Sequence, residues 1–396
     1  MSESVFARDC AAKGFLNPLV VISILTWNDW QSTQKCLESV RRLDYPNFLI
    51  VVVDNGSRDG SAEKIKAWAR ENLGPGHLLA EYTQETALQG GEEQTEEALD
   101  RTASPAELLL ICNEENLGFT GGNNVSISYA LCRPRAADYV LLLNNDAWLE
   151  PDCLTQLVGA DQRADAGMIQ VNFGGPPLTK PGIPARRGRT PDRNGSSSNE
   201  DLRGPVTEAR SVRTASVDPA PNRDTGNRRE ALDSHSDLIP VSYTNGAGVL
   251  VRRDVLEAVK RFQGSYLDER IFVYLEDFAL SLVACNLGYK PHLAKRAIGH
   301  HRGMSGSGGK WGPIQFYYGT RNMFYLAENL PELERRRFRL IYPLSGIGRV
   351  VKYLAMGRYG SARAALWGMI DAYRGVTGKW REHDRQAGQA RHGRFH

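Results

Sequence analysis

The sequence predicts an α/β protein built on a mostly parallel β-sheet with helices on both faces. Strand-like runs alternate with helix-like runs from residue 18 to residue 146. The strand runs are continuously apolar, as expected of strands buried on both faces. Each ends in a polar or glycine-bearing turn, on the side where open parallel sheets place their ligands.

"PLVVISILTW" (18–27) is the first strand, and "NDWQSTQKCLESVRRL" follows with apolar spacing that suits a helix. "NFLIVVVDNGSRDGS" is a second strand closing in a polar turn, and "AEKIKAWAREN" a second helix. "AELLLICNEENLGFTGGNN" reads as a third strand and a glycine-rich loop, leading into a helix through "VSISYALC". "DYVLLLNND" is the fourth strand, and "LIPVSYTNGAGVLVRRDVLEAV" a later strand and helix. Two segments interrupt the pattern. Residues 81–107 are acidic and read as a surface loop or frayed helix. Residues 174–237 are rich in Pro, Gly, Ser, Arg and Asp, and too poor in large apolar residues to offset the entropy of ordering, so disorder is expected. The organisation is then an N-terminal extension (1–17), a main α/β domain (18–330) carrying both inserts, and a C-terminal tail (331–396).

Charge is unevenly spread over the 396 residues, although the net value is only +3. From Pro331 onward there are 14 Lys and Arg against 5 Asp and Glu, or +9; the preceding residues carry 35 against 41, or −6. The tail reads as two or three amphipathic helices broken at Pro343 and at glycines. Such helices either cap the core with a solvated basic face or meet an anionic membrane. The basic residues are not interleaved with aromatics as in a nucleic-acid module, which argues against nucleic acid. Six dispersed cysteines, with no C-x-x-C pair, form neither a disulfide framework nor a zinc knuckle, so a reducing cytoplasm is expected. No apolar run is long enough to span a bilayer, and no apolar signal core opens the chain. The Asn-x-Ser matches at Asn55, Asn124 and Asn194 read as turns and loops.

A dinucleotide dehydrogenase is excluded, because "ILTWNDW" lacks the G-x-G-x-x-G that should follow the first strand. No Walker A loop is present either. The residues that close the strands are Thr26, Trp27 and Asn28; Asp54, Asn55, Gly56 and Ser57; Asn116, Leu117, Gly118 and Phe119; and Asn144, Asn145 and Asp146. They should converge on one rim.

Seven stretches, in order, resemble the family 2 glycosyltransferases, and especially the rhamnosyltransferase-like branch that builds bacterial surface polysaccharides. They are "VVISILTWNDWQSTQKCLESV", "IVVVDNGSRDGS", "NEENLGFTGGNN", "VLLLNNDAWLEPDCL", "TNGAGVLVRRDVL", "FVYLEDFALSLVACNLGYKPHLAKRAIGHHRGMSGSG" and "YYGTRNMFYL". The resemblance covers residues 18–330 apart from the inserts. It implies a GT-A (Rossmann-like) fold, a nucleotide-sugar donor, a divalent metal (Mn²⁺ or Mg²⁺) and inversion at the anomeric carbon.

The family's Asp-x-Asp element falls on Asn144-Asn145-Asp146, leaving Asp146 as the one charged metal ligand. Such a site is workable, because these ions need only one or two carboxylates when substrate phosphates and water complete the shell. Asp54 sits where relatives bond the nucleobase; an Asp accepting from a uracil or thymine N–H fits UDP- or dTDP-sugars. Thr26, Trp27, Asn28, Asn116, Gly118 and Asn145 are expected to line the donor pocket, Gly118 by permitting close approach. The family's general base falls on Asp277, with Glu276 beside it. Inversion needs a carboxylate there to take the acceptor's proton. Many relatives carry a further acid where this chain has Ala279, and an Arg where it has Val283. His300, in "AIGHHRGMSGSG", aligns with a histidine that completes the metal shell in relatives, and His301 competes with it. Arg302 and Ser305 would belong to a loop over the diphosphate, with Arg321-Asn322 contacting the donor or bracing that loop.

The expected reaction is sugar transfer from a nucleoside diphosphate to a polysaccharide or lipid-linked glycan, in the cytoplasm or on the inner face of the plasma membrane. A sugar-nucleotide nucleotidyltransferase would need a Lys- or Arg-bearing glycine loop after the first strand, which "TWNDW" does not supply. A non-catalytic sugar-nucleotide binder is suggested only by Ala279.

Overall fold

A computed structural model describes residues 17–73, 78–101, 107–174, 237–303 and 312–380. The expectations for residues 1–16, and for disorder across 175–236, fall outside them. In chain order the strands are β1 (Val20–Thr26), β2 (Phe48–Asp54), β3 (Leu79–Thr83), β4 (Glu107–Cys112), β5 (Tyr139–Asn144), β6 (Ala147–Leu149), β7 (Met168–Asn172), β8 (Leu238–Pro240), β9 (Gly248–Arg252) and β10 (His292–His301). The helices are α1 (Trp30–Val40), α2 (Ser61–Asn72), α3 (Gln84–Leu88), α4 (Glu93–Arg101), α5 (Gly118–Cys132), α6 (Cys153–Ala164), α7 (Arg253–Gln263), α8 (Glu276–Asn286), α9 (Pro313–Leu326), α10 (Glu332–Ala355) and α11 (Tyr359–Tyr373).

The strands form one mixed sheet in the order β3-β4-β2-β1-β5-β9-β7-β10-β6, with β8 on β10. The five strands from β3 to β5 are all parallel, and β9 then runs antiparallel between β5 and β7. The expected α/β architecture is therefore present, a mostly parallel sheet flanked by helices with a helical C-terminal region. Strand alternation divides the core between the two faces. Ile22, Ile24, Ile50, Val52, Leu108 and Leu110 pack on one side with α1 and α2. Val21, Val51, Val53, Leu109 and Ile111 pack on the other with α5, α7 and α8.

The described residues 81–101 of the acidic segment do not form a loop or a frayed helix. They supply edge strand β3 and helices α3 and α4, and a buried charge holds them down. Glu96 accepts from Arg133 Nε at 2.8 Å and from the hydroxyls of Tyr82 and Tyr129. A carboxylate met by a guanidinium and two hydroxyls retains most of the hydrogen bonding that burial removes. The glycine-rich "GFTGGNN" is likewise not a loop, because α5 begins at Gly118 and runs through it. A Cβ on Gly122 would lie 2.4 Å from Leu25 Cδ1, so this glycine serves helix-on-strand packing. Asn55 and Asn124 are buried and hydrogen-bonded within the protein.

In the C-terminal region, Pro343 sits inside a continuous α10 and does not break it. The helix stops at Met356 instead, where Gly357 turns the chain at φ 68°. A proline cannot serve the carbonyl one turn back, that of Arg339. The Tyr373 hydroxyl approaches that carbonyl at 3.5 Å. Among the described residues no helix is long and apolar enough to cross a membrane.

Candidate functional site

The in-register pairing of the parallel strands brings the polar strand ends to one level. Thr26 lies opposite Asp54, Asp54 opposite Cys112, and Leu25 opposite Asn144. Backbone bonds continue past the strands, with Asn55 N donating to Thr26 O at 2.9 Å and Asn113 N to Asp54 O at 2.9 Å. The expected rim therefore exists, and it continues through β9. Asn144 N donates to Ala247 O at 3.0 Å, and the neighbouring Gly246 N donates to Asp277 Oδ2 at 3.0 Å. The turn that carries Asp146 and the helix start that carries Asp277 are tied to the same pair of strands.

Asp146 is buried, and its Oδ1 lies 3.0 Å from His301 Nε2. The contact follows from β6 running antiparallel to β10, which sets His301 opposite Ala147, the residue after Asp146. Arg302 N closes the pairing by donating to Asp146 O at 3.0 Å. His300, the metal ligand expected from the sequence, points elsewhere. It stacks on Trp148, with ring centroids 5.6 Å apart, and its Nε2 lies 2.8 Å from Glu150 Oε1. Consecutive strand residues face opposite ways, so only one of two adjacent histidines can meet Asp146.

The acidic pair opens α8 from a strained approach. Tyr274 and Leu275 both have positive φ, 68° and 73°, which non-glycine residues seldom adopt. The strain is held by Asn322, whose amide donates to Val273 O at 2.9 Å and to Tyr274 O at 2.8 Å. Arg321 is fully buried and donates to Gly378 O at 2.6 Å and to Arg270 O at 3.2 Å. Arg321-Asn322 thus braces residues 270–274, just ahead of the acidic pair. Asp277 is held through both oxygens: Oδ2 by Gly246 N, Oδ1 by Phe278 N at 2.7 Å. Burial raises its pKa, while these backbone bonds pull the other way. Glu276 is pushed up to about 8, by burial first and by the neighbouring Asp277 charge second. Its Oε2 is buried without a hydrogen-bond partner. Ala279 and Val283, where many relatives carry charge, are buried apolar positions here.

Asp54 is buried at the end of β2, and Ser57 N lies 3.4 Å from its Oδ2. Its Oδ1 has no hydrogen-bond partner, and burial raises its pKa.

The other expected donor residues divide into two groups. Trp27 is exposed, and Asn28, at φ 52°, accepts from Arg58 N at 2.7 Å and donates from its own N to Ser57 Oγ at 2.9 Å. These two border the Asp54 loop from outside. Thr26, Asn145, Asn116 and Gly118 bond within the protein instead. Thr26 Oγ1 lies 2.8 Å from Thr33 Oγ1, which also accepts from Asn145 Nδ2 at 3.2 Å. Asn116 Oδ1 accepts from Asn55 Nδ2 and from Gly118 N. Gly118, at φ 77°, is required by Phe272: a Cβ there would sit 2.3 Å from the Phe272 carbonyl oxygen. The close approach expected of a donor is therefore made by the protein's own backbone.

The sequence reading named two further contributors without seeing what they bind. Asn55 binds Asn116, Gly118 O, Asn113 and Leu117 N, knitting the loops after β2 and β4 together. The "TNGAG" turn supplies Gly246, where a Cβ would lie 3.1 Å from Asp277 Cβ. That turn is visible in the sequence, but its contact with residue 277 is not. Of the expected loop over the diphosphate, Arg302 is described and Ser305 falls outside the described residues.

Residues 21–80 match the model of glycosyl transferase family 2. The match takes in the Thr26 and Asp54 strand ends and stops short of Asp146, Asp277 and His301. Over 127 residues the chain is 33% identical to Glycosyltransferase AglE of Haloferax volcanii, covering 28% of this chain and 41% of that protein. Over 147 residues it is 25% identical to Hyaluronan synthase 2 of Rattus norvegicus, covering 36% of this chain and 26% of that protein. The chain spans less than half the length of either relative it matches. Among solved structures, the mannosyltransferase PcManGT of Pyrobaculum calidifontis, in complex with GDP-Man and Mn²⁺, is similar at TM-score 0.48 and 12% identity, covering 90% of this chain and 87% of that one. TarS 1-349 of S. aureus, in complex with UDP-GlcNAc, is similar at TM-score 0.47 and 14% identity, covering 90% and 81%. Neither likeness bears on what this chain binds.

Proposed function

We propose that the protein is a metal-dependent, inverting glycosyltransferase of the GT-A type. It moves a sugar from a UDP- or dTDP-linked donor to a polysaccharide or lipid-linked glycan. The observation that carries this reading is the shared rim: the Asp146–His301 pair and the backbone-fixed Asp277 sit on adjoining strand ends, with Asp54 two strands away from β5.

Asp54 accepts from the base N–H, and Trp27 and Asn28 border that end of the pocket. Asp146 and His301 would hold the metal, in place of the Asp146–His300 pair expected from the sequence. Among the described residues no cluster of three or more His, Cys, Asp and Glu forms, so a bound ion would take its remaining ligands from phosphate oxygens and water. A carboxylate with an imidazole suits Mn²⁺ better than Mg²⁺, which prefers oxygen alone. Such an ion supplies positive charge beside the departing diphosphate.

Asp277 takes the proton from the acceptor hydroxyl as its oxygen bonds to the anomeric carbon. The bond from that carbon to the diphosphate breaks on the opposite face, and the nucleoside diphosphate leaves. Each Asp277 oxygen spends one lone pair on a backbone N–H and keeps another for the proton. Gly246 and Phe278 thereby fix the carboxylate's direction without removing its function. The buried apolar setting of Ala279 makes its departure from the family pattern a matter of packing, which leaves the non-catalytic reading without support.

The test is release of UDP from a panel of UDP-sugars, and of dTDP from dTDP-sugars, with and without Mn²⁺. Wild type should hydrolyse one donor slowly and only with metal. Asp277→Asn should lose about 100-fold or more while still binding UDP. Equal, metal-independent turnover by both proteins would remove the enzymatic reading.

A further inference from the structure

The tail offers a surface that the catalytic reading leaves unused. On a helical wheel of 100° per residue, Leu333, Leu340, Leu344, Ile347 and Val351 of α10 fall within a sector of about 60°. All five are exposed, Leu340 at 77% and Leu344 at 71%. The opposite side of the helix is the one that packs. Tyr342 donates to Thr320 O at 2.6 Å, Tyr353 meets Phe316 at 4.4 Å between centroids, and Gly346 abuts Met369. The apolar stripe therefore points directly away from the body of the protein. An ordered apolar row of this length on a surface marks a contact rather than chance exposure.

The charge pattern decides which contact. From Arg335 to Ala355 the helix carries Arg335, Arg336, Arg337, Arg339, Arg349 and Lys352, and no acidic residue. Arg336 and Arg337 border the stripe on either side; two copies meeting in parallel would set these guanidiniums together, and in antiparallel they would face the uncharged residues 343–348. An anionic bilayer meets both requirements at once: acyl chains for the leucines, and headgroups for the guanidiniums that flank them. The length argues the same way, because a 24-residue helix that is too polar to cross a membrane can lie in its surface.

We propose that α10 docks this protein in-plane on an anionic lipid surface, through the stripe Leu333–Leu340–Leu344–Ile347–Val351 flanked by its arginines. The inference deepens the reading of a lipid-linked acceptor, but it stands on the helix alone. The same membrane would hold both enzyme and acceptor, so the search for the acceptor becomes two-dimensional.

The test is co-sedimentation of the full chain with vesicles of phosphatidylcholine, with and without phosphatidylglycerol. Wild type should pellet with the anionic vesicles only, and should release at about 1 M salt, where screening shortens to ~3 Å. The double substitution Leu340→Gln with Leu344→Gln removes apolar area at exposed positions, so folding should survive. It should lower partitioning about tenfold or more and leave UDP-sugar hydrolysis in vesicle-free solution unchanged. Arg336→Gln with Arg337→Gln should lower partitioning on anionic vesicles in the same way. Equal partitioning of the leucine variant and wild type would overturn the proposal. So would wild type that ignores anionic vesicles, or that elutes as a dimer which the leucine variant dissociates. Loss of vesicle binding with donor hydrolysis intact separates this inference from the catalytic one.

Discussion

His301 Nε2 lies 3.0 Å from Asp146 Oδ1, while its neighbour His300 turns to Glu150 at 2.8 Å. The two imidazoles are adjacent in sequence and serve opposite faces of β10. Their substitutions should therefore separate cleanly. His301→Ala should weaken Mn²⁺ binding in the presence of UDP by about 10- to 100-fold, as removal of a metal-shell group typically does. His300→Ala should change it by less than about threefold, since that ring borders an exposed edge. Titration calorimetry of Mn²⁺ into the UDP-loaded protein reads both. Equal effects would mean that the Asp146–His301 pair has no special part in holding metal.

The Asn322 amide donates only to backbone carbonyls, and its Oδ1 accepts from Arg321 Nε at 3.1 Å, yet it should matter to turnover. It holds the carbonyls of Val273 and Tyr274, the segment that passes through two positive-φ residues into the acidic pair. Asn322→Ala should lower kcat by about tenfold or more with little change in donor KM, because it loosens the approach of Asp277 without touching the nucleotide. A change confined to KM would contradict this positioning role.

Gly118→Ala tests whether the glycine serves the protein or the donor. The substitution combines a positive φ of 77° with a Cβ placed 2.3 Å from the Phe272 carbonyl oxygen. It should cost about 2 kcal/mol or more of stability, seen as a lower Tm in the absence of any nucleotide. An unchanged Tm with weakened UDP binding would return this glycine to the donor site.

Glu276 sets the sign of a pH effect. Its pKa is raised from 4.5 to about 8, so the folded state holds a proton that the unfolded chain has released. The native protein then binds more protons than the unfolded one between those values, and stability falls as pH rises across the window. Glu276→Gln should flatten that fall in thermal unfolding measured over the window. Some slope should remain, because burial also pushes Glu107 up to about 8. An unchanged fall in the variant would show that Glu276 is already ionised in the folded protein across the window.

Much of the scaffold is legible in the residues. Continuous β-branched runs can be buried only in a two-sided sheet, so β1, β2, β4 and β5 follow from hydrophobic pattern alone. Their polar ends then mark the rim, which is why Asp54 and Asp146 could be singled out by position, whereas Asp277, at a helix start, was reached only through the family resemblance. Legibility fails where a residue's partner is distant in the chain. "GFTGGNN" reads as a loop because glycines favour turns, but Leu25 and Phe272 give those glycines a packing reason. The acidic run after residue 81 reads as a solvated surface, but Arg133, Tyr82 and Tyr129 bury Glu96 within it.

The sequence by itself determined the class of the sheet, the level of the rim and the acidic residues on it, because those depend on local periodicity and on which end of a parallel strand faces a ligand. Only the tertiary structure decided which histidine meets Asp146, and that Gly246 and Asn322 fix Asp277 and the segment leading to it. It also decided that the basic tail turns an apolar row outward. Each of those depends on cross-strand register or on the packed face of a helix, and both are settled by contacts between residues far apart in the chain.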